Sequence, residues 1–302
     1  MELDSPIRIV GPVDLTSEEI GMVNRLIDRC NTIDGLDLPL EATAQDGSAG
    51  VRYCLAWDHD RLVGLLVIQG RADAEVCLAV DPDYRRRGIG RNLLARARTA
   101  LRERQVPKLL LVAEEASAPG RAFVEAIGAR YQNSEYRLVL DERSVPLDRA
   151  WPRAVELRPG TSADARLIAH LIATSFGDPE ADVLEWVERA LTLENHRFFI
   201  GSVDGVPIGN IRTNYYGTTI YVTAFGILPE HRGRGFGRQM LLRTVDRLLA
   251  EKWPRIAIEV ETNNRNALGL YVSCGFKETT TYGYYRLNTL NDTEEGCSPG
   301  CS

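Results

Sequence analysis

Apolar positions along the chain follow two rhythms, and each rhythm occurs twice. Ile89, Leu93, Leu94, Ala97 and Leu101 recur at three- and four-residue spacing, as do Phe236, Met240, Leu241, Val245 and Leu249. That periodicity predicts two helices, each with one buried stripe. Runs rich in Val, Ile, Leu and Thr predict hairpins: Arg61 to Gln69 with Glu75 to Val80 around Gly70 to Ala74, and Val206 to Thr213 with Thr219 to Leu228 around Tyr215 to Thr218. Shorter strands are predicted at Leu109 to Ala113, Tyr136 to Leu140, Ala154 to Arg158, Ile256 to Glu261 and Gly283 to Leu287. Helix starts are marked by Thr16 with Glu19 and by Thr161 with Asp164, in the spacing of a capping box. Early strands followed by a β-α-β-α-β run predict an α+β (mixed α/β) fold in each half, a twisted mixed sheet flanked by helices.

The two halves are one pattern repeated. Val80-Asp-Pro-Asp-Tyr-Arg85-Arg-Arg-Gly88-Ile-Gly90-Arg91 returns as Ile227-Leu-Pro-Glu-His-Arg232-Gly-Arg-Gly235-Phe-Gly237-Arg238, an offset of 147 that also carries Gly128 onto Gly275. Upstream, Thr16 and Gly64 match Thr161 and Gly209 at an offset of 145, a difference a loop absorbs. A chain of 302 residues is long enough for two cores. The expected division is an N-terminal domain at 6–145, a linker at 146–153, a C-terminal domain at 154–290 and a flexible tail at 291–302.

Apolar residues at 44% and charged residues at 26% place the chain among globular proteins. No apolar run reaches the ~18 residues of a membrane span, and Met1 to Pro6 lacks the features of a secretion signal. A cytoplasmic protein with no membrane partner is expected. The net charge of −6 argues against nucleic acid as a partner. Cys30, Cys54, Cys77 and Cys274 fall in predicted helices and strands and read as buried thiols. Cys297 and Cys301 have no histidine nearby, so no metal site is expected.

The loop that repeats carries the chemistry. The first N–H groups of a helix lack intrahelical acceptors and sit at the positive end of the macrodipole. Arg232-Gly233-Arg234-Gly235-Phe236-Gly237-Arg238, between a strand and a helix, therefore reads as an anion cradle, and Arg85-Arg86-Arg87-Gly88-Ile89-Gly90-Arg91 supplies the same parts. The spacing is neither the dinucleotide G-x-G-x-x-G fingerprint nor a G-x-x-x-x-G-K-[ST] phosphate loop.

Arg-x-x-Gly-x-Gly between strand and helix resembles the signature of the GNAT superfamily of acyl-CoA-dependent N-acyltransferases. A second signature agrees: Asn264-Arg-Asn-Ala267-Leu-Gly-Leu-Tyr271-Val-Ser-Cys-Gly275-Phe276 matches the family's Asn-x-x-Ala-x-x-x-Tyr-x-x-x-Gly-Phe. The resemblance spans nearly all of both halves. It implies acetyl-CoA as cosubstrate, its pyrophosphate on the loop, its pantetheine along Phe225-Gly226-Ile227 and its thioester near a backbone N–H able to stabilise an oxyanion. Asn264 and Ala267 join the binding set, as do Leu78, Ala79 and Val80 in the first repeat. It also implies Tyr271 as the acid that protonates the departing thiolate. The base is open between Glu259, Glu261 and an ordered water, because the strand Ile220 to Gly226 carries no acid. Ser117, Gly120, Val124 and Ala129 stand where the second repeat has Asn264, Ala267, Tyr271 and Phe276, so the first repeat is expected to be catalytically degenerate. The resulting expectation is an N-acetyltransferase acting in the C-terminal half on a primary amine of a small molecule or peptide. A non-catalytic acyl-CoA binding or sensing protein is the alternative. Asp178, Glu180, Asp182 and Glu185 read either as an attraction for a cationic acceptor or as a solvated helix face. A monomeric pseudo-dimer or a homodimer is expected.

Overall fold

The computed structural model describes residues 7–40, 42, 51–70, 74–106, 108–146, 151 and 153–288. The expected tail with Cys297 and Cys301, linker positions 147–150 and 152, and the hairpin tip 71–73 lie outside the described residues. In chain order the first repeat forms β1 (Arg8–Val13), α1 (Ser17–Asp34), β2 (Arg52–Asp58), β3 (Arg61–Gln69), β4 (Ala74–Val80), α2 (Ile89–Glu103), β5 (Lys108–Glu114), α3 (Ala118–Ala126) and β6 (Arg130–Leu140). The second forms β7 (Glu156–Pro159), α4 (Ala165–Phe176), α5 (Glu180–Ala190), β8 (His196–Val203), β9 (Val206–Tyr216), β10 (Thr219–Ile227), α6 (Phe236–Ala250), β11 (Arg255–Glu261), α7 (Arg265–Ser273) and β12 (Phe276–Asn288).

The predicted hairpins, helices and both capping boxes are present. The strands β2 and β8 were not predicted. Their Tyr-Cys-Leu-Ala-Trp and Phe-Phe-Ile runs are buried without alternation, and such a run does not declare its period. The strands β6 and β12 begin earlier than expected, because their first halves are polar.

The described residues form two compact units, and their boundaries cut across the repeats. Unit 1 comprises residues up to Asn133 together with those from Tyr282 onward; unit 2 runs from Ser134 to Thr281. In unit 1 the strand order is β1-β2-β3-β4-β5-β12, with β12 antiparallel to β5 from Tyr282↔Glu114 onward. In unit 2 it is β6-β11-β10-β9-β8-β7, with β6 antiparallel to β11 at Ala257↔Val139 and Glu259↔Arg137. The last strand of each unit thus comes from the other repeat, unlike the contiguous domains expected at 6–145 and 154–290. Backbone pairing is indifferent to which repeat supplies the strand, and nothing in local periodicity specifies the partner.

Each unit has apolar layers on both sheet faces. In unit 1, Val23, Leu26, Ile27 and Cys30 of α1 cover one face, meeting Tyr282 and Tyr284 of β12; α2 and α3 cover the other. In unit 2, α4 and α5 pack on Phe198 and Ile200, while α6 and α7 pack on Phe199, Ile211, Val222 and Ile258. Alternation along the strands sorts these side chains onto opposite faces. Cys30, Cys54, Cys77 and Cys274 are buried free thiols. Among the described residues no helix is long and apolar enough to cross a membrane.

One departure from regular pairing positions the site. The parallel ladder of β10 with β11 stops at Val222↔Ile258, whereas β10 stays paired with β9 as far as Ile227↔Gly209. A bulge between Thr223 and Gly226, with Ala224 at φ 42°, bends β10 at that point. The Asn210 side chain braces the bulge by donating to the Ala224 carbonyl at 2.6 Å. The edge of Phe225–Ile227 that faces away from β9 has no ladder partner among the described residues. In unit 1 the ladder of β4 with β5 stops likewise, at Val76↔Leu111.

Candidate active site

In unit 2 the uncovered edge of β10 leads through a Pro229–His231 turn into α6. Gly233 and Gly235 adopt φ of 73° and 78°, left-handed values that glycine reaches without strain. The helical ladder begins with Gln239 N–H to Gly235 carbonyl, so the N–H groups of Phe236, Gly237 and Arg238 have no acceptor among the described residues. Three unpaired donors at the positive end of a helix suit a phosphate. A Cβ placed on Gly237 would lie 3.5 Å from Leu270 and 3.6 Å from Ile227 and Phe225, within the space in front of that edge. At Gly235 a Cβ would meet no protein atom within 4 Å, so backbone conformation by itself calls for glycine there.

The arginines of the loop divide by task. Arg232 donates to the carbonyls of Ile227 at 2.8 Å and Ser175 at 2.7 Å, and among the described residues it has no carboxylate partner. Arg234 is exposed. Arg238 reaches the Ser273 carbonyl at 3.3 Å and Arg91 reaches Ala126 at 3.3 Å, so each ties its helix to the end of the next. Phe236 and Ile89 are buried core side chains, leaving only their backbone N–H for a ligand. Arg87 donates to the Asp83 carbonyl at 3.1 Å and lies over the Tyr84 ring. Arg85 keeps the carbonyl contact of its counterpart, to Val80, but its guanidinium also forms a fork with Asp34 at 2.9 and 2.6 Å. Those bonds raise its pKa and offset its charge.

Tyr271 of α7 faces the same opening. Its ring centroid is 6.4 Å from that of Phe225 and it is 7% exposed, yet its hydroxyl makes no hydrogen bond among the described residues. Burial, with a smaller effect of Cys274, pushes the phenol up to about 12. It therefore holds its proton at neutral pH. Glu259 of β11 takes both Nε (3.0 Å) and Nη2 (2.8 Å) of buried Arg137 on its Oε1, and its Oε2 has no partner among the described residues. Glu261 is exposed. Asn264 caps α7, its Oδ1 accepting from Ala267 N–H at 3.1 Å. Ser117 does the same for α3, accepting from Gly120 at 3.0 Å, which is why the first repeat keeps this helix without the asparagine.

The acetyltransferase (GNAT) family profile matches residues 22–129 and 165–276, one copy in each half. The chain belongs to this family. As a member of the GNAT acetyltransferases it is an N-acetyltransferase, and its organisation is shared along its length. It is 27% identical over 296 residues to a mycothiol acetyltransferase from Clavibacter sepedonicus, covering 92% of this chain and 95% of that protein. Its fold is similar to a GCN5-related N-acetyltransferase from Sphaerobacter thermophilus, with a TM-score of 0.74 and 17% identity over 94% of this chain and 96% of the other. A tandem GNAT protein from the clavulanic acid biosynthesis pathway matches with a TM-score of 0.71 and 18% identity, covering 95% of this chain and all of its own.

Within this GNAT pair the first repeat keeps a formed opening. A cavity of about 420 Å³ in unit 1 is lined by Leu78, Ala79, Val80, Gly88, Gly90 and Phe123, among others. Arg86, at φ 64°, holds the left-handed position that Gly233 holds in the second loop. Val124 stands at the Tyr271 position and is buried, with no proton to give. The acidic stretch Asp178, Glu180, Asp182 and Glu185 is solvent-exposed, with Glu180 3.1 Å from His170 and Glu185 3.7 Å from Arg189. Arg137 and Arg212 carry little local signal, a lone arginine in an otherwise strand-like run, because Glu259 and Thr223, which they bind, lie on neighbouring strands.

Proposed function

We propose that unit 2 transfers an acetyl group from acetyl-CoA to a primary amine by direct attack, with both substrates bound together. The observation that carries this reading is Tyr271, a buried ring whose protonated hydroxyl has no hydrogen-bond partner among the described residues, beside an uncovered strand edge and a helix N-terminus with free N–H groups. The residues present suit the cosubstrate. Phe236, Gly237 and Arg238 N–H with Arg234 and Arg232 meet its pyrophosphate, Gly237 leaves the space it needs, and Phe225–Ile227 offer backbone groups to its pantetheine. Acetyl-CoA supplies the activated acyl group. Glu259, anchored by Arg137 through one oxygen, takes the amine's proton on the other; Glu261 or a water remain the alternatives for that role. Tyr271 hands its proton to the leaving sulfur.

Unit 1, by the same reading, holds CoA in its cavity without transferring the acyl group, since Val124 replaces the acid. Titration calorimetry of acetyl-CoA into wild type and Gly237→Val tests both statements. Two sites falling to one support them. A single site that survives Gly237→Val places binding in unit 1 alone and refutes transfer in unit 2, and no binding to wild type refutes both.

A further inference from the structure

Three adjacent strands of unit 2 carry a polar strip on the face beneath α5. Arg212 of β9 donates from Nε to Thr223 Oγ1 at 2.9 Å and from Nη2 to Asn214 Oδ1 at 2.9 Å. Thr223 donates in turn to Asn214 Oδ1 at 3.0 Å. The guanidinium lies 4.9 Å from the Trp186 ring centroid. All these partners are neutral. Among the described residues Arg212 has no carboxylate partner and its Nη1 no acceptor. His196, opposite Asn214 on β8, keeps both ring nitrogens buried without a partner among the described residues. Burial lowers Arg212 to about 10 and His196 to about 4, so at neutral pH the first is charged and the second is not. A half-buried cation satisfied only by neutral groups is an incomplete site, because its desolvation is not offset by an opposite charge.

The strip continues to a carboxylate, Glu259, that Arg137 holds through one oxygen. Thr223 pairs with Arg212, and one place beyond the last ladder pair, Val222↔Ile258, stand Thr223 and Glu259. Alternation puts both on the same face. Glu259 Oε2 has no partner among the described residues, nor has Arg212 Nη1. Phe225, beside Tyr271, follows Thr223 by two residues across the bulge, which turns its ring into the layer of Val222 and Ile258 on the other face. A cationic group and an anionic group therefore lie on one face of three adjacent strands, at the bend in β10 that leads to Phe225 and the acid of the reaction.

We propose that the acceptor is an amino acid or similar small amine bearing a carboxylate, with the carboxylate on Arg212 Nη1 and the amine at Glu259. The assignment rests on the acetyltransferase reading of unit 2. A single guanidinium with one amino group to spare matches a monoanion better than a phosphate dianion. Arg212 is on this account a specificity-determining residue that contacts the acceptor.

Initial rates on matched acceptors test it: a panel of L-amino acids against their primary amides and decarboxylated amines, with wild type, Arg212→Gln and Arg212→Lys, and acetyl-CoA affinity titrated alongside. Wild type should prefer the carboxylates by about 10- to 100-fold in kcat/KM, the range of one charge-assisted hydrogen bond. Arg212→Gln should erase the preference mainly through KM, with acetyl-CoA affinity unchanged, and Arg212→Lys should restore part of it. The wild-type comparison stands even if a variant fails to fold. Equal rates on acids and amides, or acetyl-CoA binding without turnover of any carboxylated amine, overturn the carboxylate assignment alone. Absence of acetyl-CoA binding in unit 2 overturns it together with the acetyltransferase reading.

Discussion

Tyr271→Phe separates proton transfer from packing, because the structure gives the hydroxyl nothing else to do. The ring packs in the apolar layer of α6 and α7 and against Phe225, and phenylalanine keeps those contacts. No protein group loses a hydrogen bond, so unfolding stability should stay within about 0.5 kcal/mol of wild type. If the hydroxyl is the acid, kcat should fall by about 10²–10⁴, or roughly 3–5 kcal/mol of barrier. Tyr271→Val, which installs the residue of the first repeat, should lose the same chemistry and also about 2–4 kcal/mol of stability by emptying a buried aromatic site. Rates would be followed by release of free CoA thiol, stability by thermal or urea unfolding, and acetyl-CoA affinity by calorimetry. Because burial holds the phenol at about 12, an alkaline limb of kcat below about pH 10 should be the same in wild type and Tyr271→Phe. A Tyr271→Phe rate within twofold of wild type would refute the assignment. So would a rate loss that scales with lost stability across the two variants.

Glu259→Gln should lower kcat/KM by about 10²-fold or more, whereas Glu261→Gln should leave it unchanged; unchanged rates in both variants would transfer the role to water. Asp34→Asn should free the charge of Arg85 and tighten CoA binding in unit 1 by about 2- to 5-fold, measured in the Gly237→Val background. Weaker binding would mean that Asp34 organises the loop instead. His196 is held at about 4 in the folded state against an ordinary 6.5. Between those values the unfolded chain binds more protons than the native one, so this contribution is full above about pH 6.5 and is lost as pH falls toward 4. The shift corresponds to at most about 3 kcal/mol, and partial exposure of the ring reduces the expected loss to about 1–2 kcal/mol. His196→Phe should flatten that part of the stability–pH curve in urea titrations, and an unaltered slope would contradict it.

What lies within a few residues was legible in the chain itself. The two Gly-x-Gly turns, the helix stripes after them, the capping boxes and the hairpins all follow from short-range rules of backbone conformation and burial period. Even the change from Asn264 to Ser117 preserves a local function, a cap on a helix start. Other outcomes depended on positions far apart in sequence. Arg85 and Arg232 occupy equivalent places, yet only Arg85 is neutralised, because Asp34 of a distant helix reaches it. Glu259 is held by Arg137, a residue of the other repeat, because β6 closes the sheet of unit 2. Arg212 acquires its meaning from Thr223, Asn214 and Trp186 and from the carboxylate it lacks. Local pattern determined which elements form and which loops can receive a phosphate; the tertiary structure alone decided which strands close each unit and which charges remain unpaired, since backbone pairing and Coulomb attraction act through space and leave no period in the sequence.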